Sequence, residues 1–156
     1  MDSPPLEKLE AFIIAAKRLT YVGSGAKLLS YRQGSHDLQH AEGDFVYHDC
    51  YFGGTDFVGE EVVYWQGRPV WAENYFGRII APELITAERA GQVIKSSLTK
   101  MYAQNRFLGA FDAMDGDCHY LDTSTGDTVW FQGREWIERE GRTAYELYYH
   151  GGLIHD

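Results

Sequence analysis

The chain has 156 residues, of which 44% are hydrophobic and 24% charged, a composition typical of one globular domain rather than of a disordered segment. Its formal net charge of -9 disfavours binding to nucleic acids and to anionic membranes, because both attract lysine and arginine. The N-terminal residues lack the pattern of a signal peptide, and the longest apolar run, residues 11–16, is too short to cross a membrane. We therefore expect residues 1–156 to form a single cytoplasmic domain in which Cys50 and Cys118 are reduced.

Two amphipathic helices are predicted, one in each half of the chain. The first covers residues 4–20, where Ser3 provides an N-cap, two prolines occupy the first turn, and apolar residues recur at helical spacing as far as Leu19. The second covers residues 82–105 and has its own apolar stripe. Between and after the helices, the alternation of apolar and polar residues predicts strands at 43–49, 61–66, 69–76, 117–122, 127–132, 135–138 and 143–150.

Several short segments occur twice in the same order. The segment VYWQGR at 63–68 returns as VWFQGR at 129–134, and ENYF at 73–76 returns as ELYY at 146–149. We interpret the chain as two helix-plus-three-strand pseudo-repeats, at about 4–80 and 82–154, which form one α+β domain with a mainly antiparallel sheet. The alternative is that aromatic hairpins resemble each other by chance.

The duplicated strand also predicts a site. The chain has 4 Trp, 11 Tyr and 8 Phe, more rings than a small core is expected to hold, so some should line a cavity or an interface. Alternation along the strand places Trp71, Glu73 and Tyr75 on one face, and the second copy places Glu146 and Tyr148 on the corresponding face. We expect this face to lie opposite the helix-covered core and to form a pocket with both glutamates near the pseudo-two-fold axis. Further walls are expected from Trp65 and Trp130.

Aromatic rings and a desolvated carboxylate both attract cations, so the expected ligand is a small molecule that is cationic or aromatic. The alternative is that the glutamates pair with Arg68, Arg78 or Arg134, or face water. Two other functions stay open: a hydrolase that uses Glu73 or Glu146 as a general base, and an acidic protein-interaction module. No cofactor and no catalytic nucleophile is predicted, and a metal site is a minor possibility at His48, Asp49, His119 or Asp122.

The chain also resembles a known family at four segments: YFGG at 51–54, FVGEEVV at 57–63, PVWAENYFG at 69–77 and YELYYHGG at 145–152. These segments are similar to a bacterial domain of unknown function, family 5680, and the resemblance runs from about residue 6 to residue 154. The family provides no established activity and therefore no catalytic residues to transfer. Related domains also follow helix-turn-helix segments in regulators, which implies an effector-sensing role in those proteins, whereas this chain is expected to be a stand-alone copy. A looser similarity is to drug-sensing, gyrase-inhibitor-like domains, which bind cationic ligands around a central glutamate, although here a helix leads each unit.

Overall fold

The computed structural model describes residues 3–22 and 26–155, which form two α-helices and one antiparallel sheet of nine strands. Helix α1 is Leu6–Lys17, continued by a π-helical turn at Arg18–Val22, and α2 is Ala87–Tyr102. The strands are β1 Ala26–Lys27, β2 His36–Glu42, β3 Phe45–Gly53, β4 Phe57–Trp65, β5 Arg68–Ile79, β6 Phe111–Asp115, β7 Cys118–Asp127, β8 Trp130–Arg139 and β9 Arg142–Leu153.

The sheet consists of two meanders that meet at its centre. Its order is β1-β2-β3-β4-β5-β9-β8-β7-β6, so the long strands β5 and β9 pair with each other, and Tyr75 lies opposite Tyr149. Helix α1 packs against β2 and β3, and α2 packs against β6 and β7. Both helices cover the same face, because their buried residues share one core with side chains of the sheet. We call the helix-covered side the inner face and the other side the outer face. The predicted α+β class with a mainly antiparallel sheet is confirmed.

The helix ends differ from the prediction in ways that local chemistry explains. Helix α1 is capped by Pro5 without a side-chain hydrogen bond, so Ser3 is not the N-cap. Leu19 is 49% exposed rather than buried, because the wider π-helical turn rotates it away from the apolar stripe. Helix α2 begins only after Thr86, whose side-chain oxygen accepts a hydrogen bond from the backbone nitrogen of Arg89.

Between the helices and the inner face lies a core of large side chains. Burying each of them contributes about 1.5–3 kcal/mol. The largest that are fully buried are Trp71, Tyr47, Tyr120, Tyr145 and Phe131.

The strand predicted at 127–132 begins too early, because the β7–β8 turn occupies residues 128–129 and β8 begins only at Trp130. The Asp127 carboxylate accepts a hydrogen bond from the backbone nitrogen of Val129, which closes the turn, and β8 then runs without a break to Arg139. The predicted strands at 127–132 and 135–138 are therefore largely one strand. Strand β6 was not predicted.

The proposed equivalence of VYWQGR and VWFQGR is also wrong. Gln66 and Gly67 have positive φ angles of 51° and 77° and form the β4–β5 turn, whereas Gln132 and Gly133 lie inside β8. A different correspondence is present in the sheet. The ring of Tyr75 covers Gly59 on the neighbouring strand, as the ring of Tyr149 covers Gly133, and a Cβ atom at either glycine would collide with the ring.

Candidate functional site

Five carboxyl groups point inward from the inner face of the sheet. Alternation along each strand turns them to this side, and the strand register makes them neighbours: Asp49 lies opposite Glu61, Glu61 opposite Glu73, and Asp122 opposite Glu135. Each is at most 7% exposed. Acidic side chains are seldom buried to this degree without partners, so the partners of each one decide what the cluster can do.

One cation forms ion pairs with two of the five carboxyl groups. Lys17 at the end of α1 is buried, and its Nζ lies 2.5 Å from Glu61 Oε2 and 2.9 Å from Glu73 Oε2. The ammonium also lies 5.8 Å from the centre of the Trp71 ring and 5.7 Å from that of Phe107. Burial lowers the pKa of Lys17, but the two carboxylates raise it more, so the pKa lies well above its usual value and the side chain stays charged.

The other three carboxyl groups are held by tyrosine hydroxyls. Tyr75 donates to Asp49 Oδ1 at 2.7 Å, and Tyr149 donates to Asp122 Oδ1 at 2.6 Å. Glu135 accepts from Tyr120 at 2.6 Å and from Tyr145 at 2.9 Å. A phenol stabilises a carboxylate less than a cation does, so these groups are poorly compensated for the loss of water.

The pKa values reflect this imbalance. Burial, reinforced by the charge of Glu61, raises the pKa of Asp49 to about 7 despite the hydrogen bond from Tyr75. Burial and the charge of Glu135 raise the pKa of Asp122 to about 7 as well. Burial also raises the pKa of Glu73, an effect that Lys17 partly offsets. Asp49 and Asp122 can therefore take up and release protons near neutral pH.

Two spaces adjoin the carboxyl groups. The first is a cavity of about 50 Å3 lined by Lys17, Glu73, Tyr75 and Tyr149, among others. A water molecule needs about 10–15 Å3, so this cavity has room for only a few waters. The second is a cleft of about 490 Å3 that opens between β2, β3, β4 and α2. Tyr75 lines both spaces and separates them.

The cleft has the size and the walls of a small-molecule site. Ligand pockets usually measure about 300–1,000 Å3 and are mainly apolar and aromatic with a few polar groups. Here the His36 ring stacks on Tyr51 at 4.9 Å between centres, and Phe57 meets Tyr75 edge-on at 6.1 Å. Asp49, which is 3% exposed, lies at the inner end. The remaining lining residues are Thr20, Leu38, Gly53, Gly54 and Gly91.

The residues predicted for the site divide between the two faces. Trp71, Glu73 and Tyr75 do share one face, but it is the helix-covered inner face and not the opposite one. Glu73 and Tyr75 line the cavity, whereas Trp71 is fully buried in the core. Asn74 and Phe76, which alternate with these residues, lie on the outer face, and Phe76 is 48% exposed.

Glu146 and Tyr148 lie on the outer face, so Glu73 and Glu146 cannot share a pocket. The pairing of β9 with β5 puts Glu146 opposite Arg78. Arg78 and Arg134 each contact the Glu146 carboxylate at 2.9 Å, and although burial raises the pKa of Glu146, these cations lower it below its usual value. Pairing with arginine was the alternative left open by the sequence. Trp65 and Trp130 do not line the cavity or the cleft either, and Trp130 is 59% exposed.

Sequence reasoning missed Lys17, Glu61 and Glu135, and it considered Asp49 and Asp122 only as metal ligands. A signal was present, because each of these acids alternates with a large apolar residue that also points inward, as in Tyr47 and Asp49 or Tyr120 and Asp122. The suggested metal ligands are not brought together. Within residues 3–22 and 26–155, no group of three or more His, Cys, Asp or Glu side chains could hold a metal ion.

Comparison with known proteins places the chain in a family. The family model described as "Domain of unknown function (DUF5680)" matches residues 49–154, from within β3 to just beyond the end of β9. The match covers more than half of the chain, so the chain belongs to this family, as its resemblance predicted. No curated protein and no solved structure matches the chain. None of the helices in the described ranges is long and apolar enough to span a membrane.

Proposed function

We propose that this member of the DUF5680 family binds a small molecule in the cleft between β2, β3, β4 and α2. The observation that carries the proposal is the position of Asp49. A buried carboxyl group with a pKa near 7 lies at the inner end of an aromatic cleft large enough for a ligand. Such a combination of a concave apolar space and a perturbed ionisable group is the usual starting point for assigning a binding site.

The contacts of Asp49 leave it able to recognise a ligand. Its Oδ1 accepts the hydrogen bond from Tyr75, and the carboxyl group lines the cleft, where a ligand could contact it. A hydrogen bond to a charged group contributes about 1.5–3 kcal/mol, so a ligand that donates one to the Asp49 carboxylate would gain affinity. The aromatic rings along the cleft would bury the apolar part of the same ligand, at about 25 cal/mol per Å2.

Gly91 offers a way to test the cleft without touching its polar groups. This residue lies on α2 at the wall of the cleft, and a Cβ atom added there would meet no heavy atom within 4 Å. Gly91→Trp should therefore fill the cleft without disturbing the core, and Gly91→Ala is the matched control. We would screen small apolar amines, alcohols and acids by thermal shift against all three proteins. Binding to the wild type and the Ala variant, with loss in the Trp variant, supports the proposal. Hits that bind equally well to the Trp variant would refute it.

An acid–base enzyme is a second candidate, because a carboxyl group with a pKa of about 7 is suited to proton transfer at neutral pH. Asp49 then replaces Glu73 and Glu146 as the candidate base, since Glu73 contacts Lys17 and Glu146 contacts two arginines. Loss of turnover, with binding retained, in Asp49→Asn would separate catalysis from binding once a ligand is known.

A protein-interaction role would instead use exposed outer-face residues, among them Phe76, Trp130 and Tyr148.

Two further expectations from the sequence stay proposals. The paired arrangement of Gly59 with Tyr75 and of Gly133 with Tyr149 supports duplication of one unit, although with a different correspondence from the one first drawn. A cytoplasmic location is supported by Cys50 and Cys118, which are both free thiols.

A further inference from the structure

The charges around Asp49 determine which ligand the cleft would accept. Lys17 from α1 and Glu61 from β4 act on Asp49 from the cavity side, and Asp37 from β2 acts from the outer face. Tyr75 from β5 donates the hydrogen bond to Oδ1, while His36 and Tyr51 line the cleft. Helix α2 contributes Gly91, which carries no charge.

The cluster as a whole has more acids than it has positive charge to balance them. Five carboxyl groups share the interior with Lys17, and this ammonium is engaged by Glu61 and Glu73. The interior can hold so many acids only if some of them bind protons, because uncompensated buried charge is costly. Asp49 is the one of the five that also lines the cleft, where a ligand could reach it.

We propose that the cleft binds a protonated primary or secondary amine, whose ammonium group donates to Asp49 Oδ2 and replaces the proton held there. The exchange balances in charge: a protonated amine and a neutral Asp49 carboxyl give an ammonium–carboxylate pair, and one proton is released to solvent. The inference rests on the proposed ligand-binding function and narrows it to one class of ligand.

An N–H donor is required, and positive charge alone is not sufficient. A quaternary ammonium group gains from the aromatic walls, but it cannot donate a hydrogen bond to the ionised Asp49 carboxylate, so it would lack that contribution to affinity. A neutral alcohol can donate a hydrogen bond, but it brings no charge to replace the proton. The structure therefore favours protonated amines over both analogues.

The test compares three probes that share a phenylethyl group: 2-phenylethylamine, 2-phenylethanol and trimethyl(2-phenylethyl)ammonium. Calorimetric titrations in buffers of different ionisation enthalpy count the protons released on binding. With an Asp49 pKa of about 7, the amine should release about 0.9 proton at pH 6 and about 0.1 at pH 8. Its affinity should rise about tenfold between these pH values, as proton linkage requires.

Asp49→Asn removes the exchangeable proton with little change in shape. This variant should bind the amine at least about tenfold more weakly at pH 8, since a hydrogen bond to a charged group is worth about 1.5–3 kcal/mol. It should also show no proton release. The control is Asp112→Asn, which removes the same charge from an exposed site on β6 that contacts His119, and it should bind as the wild type does.

The outcomes separate the two proposals. If 2-phenylethanol binds as tightly as the amine, without proton release, and Gly91→Trp abolishes its binding, the amine inference is overturned while ligand binding in the cleft stands. If the amine binds but releases no proton, or if the quaternary probe binds equally well, the exchange at Asp49 is overturned. If none of the three probes binds, the amine inference is rejected, and the wider screen against the Gly91 variants decides the proposed function separately.

Discussion

The hydroxyl of Tyr75 lies 2.7 Å from Asp49 Oδ1, and this contact separates the ligand-sized cleft from the small cavity around Lys17. Both residues lie on the inner face of the sheet, on either side of β4, where Glu61 lies opposite Asp49 and Gly59 lies opposite Tyr75. The hydrogen bond therefore couples the cleft to the buried acids.

Removing that hydroxyl should change the titration of Asp49. The hydrogen bond lowers a pKa that burial raises, so Tyr75→Phe should increase the pKa of Asp49 further above about 7. The lost hydrogen bond should also reduce stability by about 1–2 kcal/mol. Carbon-detected NMR titration of the Asp side chains measures the pKa. Tyr148→Phe is the control because it removes a hydroxyl from the exposed outer face, and an unchanged Asp49 pKa in Tyr75→Phe would refute the coupling.

Lys17 should be critical for folding at neutral pH. Lys17→Met leaves Glu61 and Glu73 buried without their cation, and breaking a buried ion pair in this way costs about 3–5 kcal/mol. Urea denaturation at pH 8 measures the loss. The control is Lys95→Met on the exposed side of α2, which should have little effect. Adding Glu61→Gln and Glu73→Gln to Lys17→Met should restore much of the stability, whereas no recovery would mean that Lys17 acts mainly through packing.

The protein should become less stable between pH 5 and pH 8. Asp49 and Asp122 have folded-state pKa values of about 7, above the value of about 3.9 for an unfolded aspartate, so the folded state binds more protons in this window. The stabilisation is complete below about pH 4 and is lost as the pH rises through about 7. Each of the two acids loses about 2.6 kcal/mol of stabilisation over this window, so we expect the free energy of unfolding to fall by roughly 5 kcal/mol.

Urea denaturation across this range tests the sign of the change. The double variant Asp49→Asn/Asp122→Asn should show a flatter dependence on pH. Below about pH 4, stability should fall as the pH falls. Hydrogen bonds lower the pKa of Asp37 to about 2, so the stabilisation from its carboxylate is lost as that group becomes protonated. Stability that rises from pH 5 to pH 8 in the wild type would contradict the assignment of protonated acids.

Glycines in contact with the tyrosine rings should not tolerate a methyl group. Gly59→Ala would place a Cβ against the Tyr75 ring, and overpacking of this kind costs about 1–3 kcal/mol. Gly91→Ala, in open space on a helix, should instead stabilise by up to about 1 kcal/mol. Thermal unfolding measures the change in stability of each variant. Equal changes at the two positions would show that the Tyr75 ring can move aside at little cost.

The sequence was sufficient for the fold class and for two of the residues around the cavity, Glu73 and Tyr75. Alternation grouped Trp71, Glu73 and Tyr75 correctly, but it could not say which side the helices cover, since Trp71 suits a core as well as a pocket wall. Glu146 was assigned to the wrong face because the prediction aligned it with Glu73 in an apparent repeat, whereas the strand register pairs it with Arg78. A shift of one residue between the copies moves a side chain to the other face of a sheet.

The buried acids could not be assembled from sequence alone, for a physical reason. They come from β3, β4, β5, β7 and β8, and only the pairing of β5 with β9 brings the two meanders together. Lys17 was overlooked because a lysine at the end of an amphipathic helix normally faces water. Its burial depends on two carboxylates that lie more than 40 residues further along the chain.

The most direct test of ligand binding in the cleft is chemical-shift mapping, by 1H–15N NMR, of a compound that emerges from the thermal-shift screen. We predict saturable shifts centred on residues that surround the cleft, namely His36, Tyr51, Phe57 and Gly91. Shifts centred on Phe76 and Tyr148 would move the interaction to the outer face and contradict the proposed site.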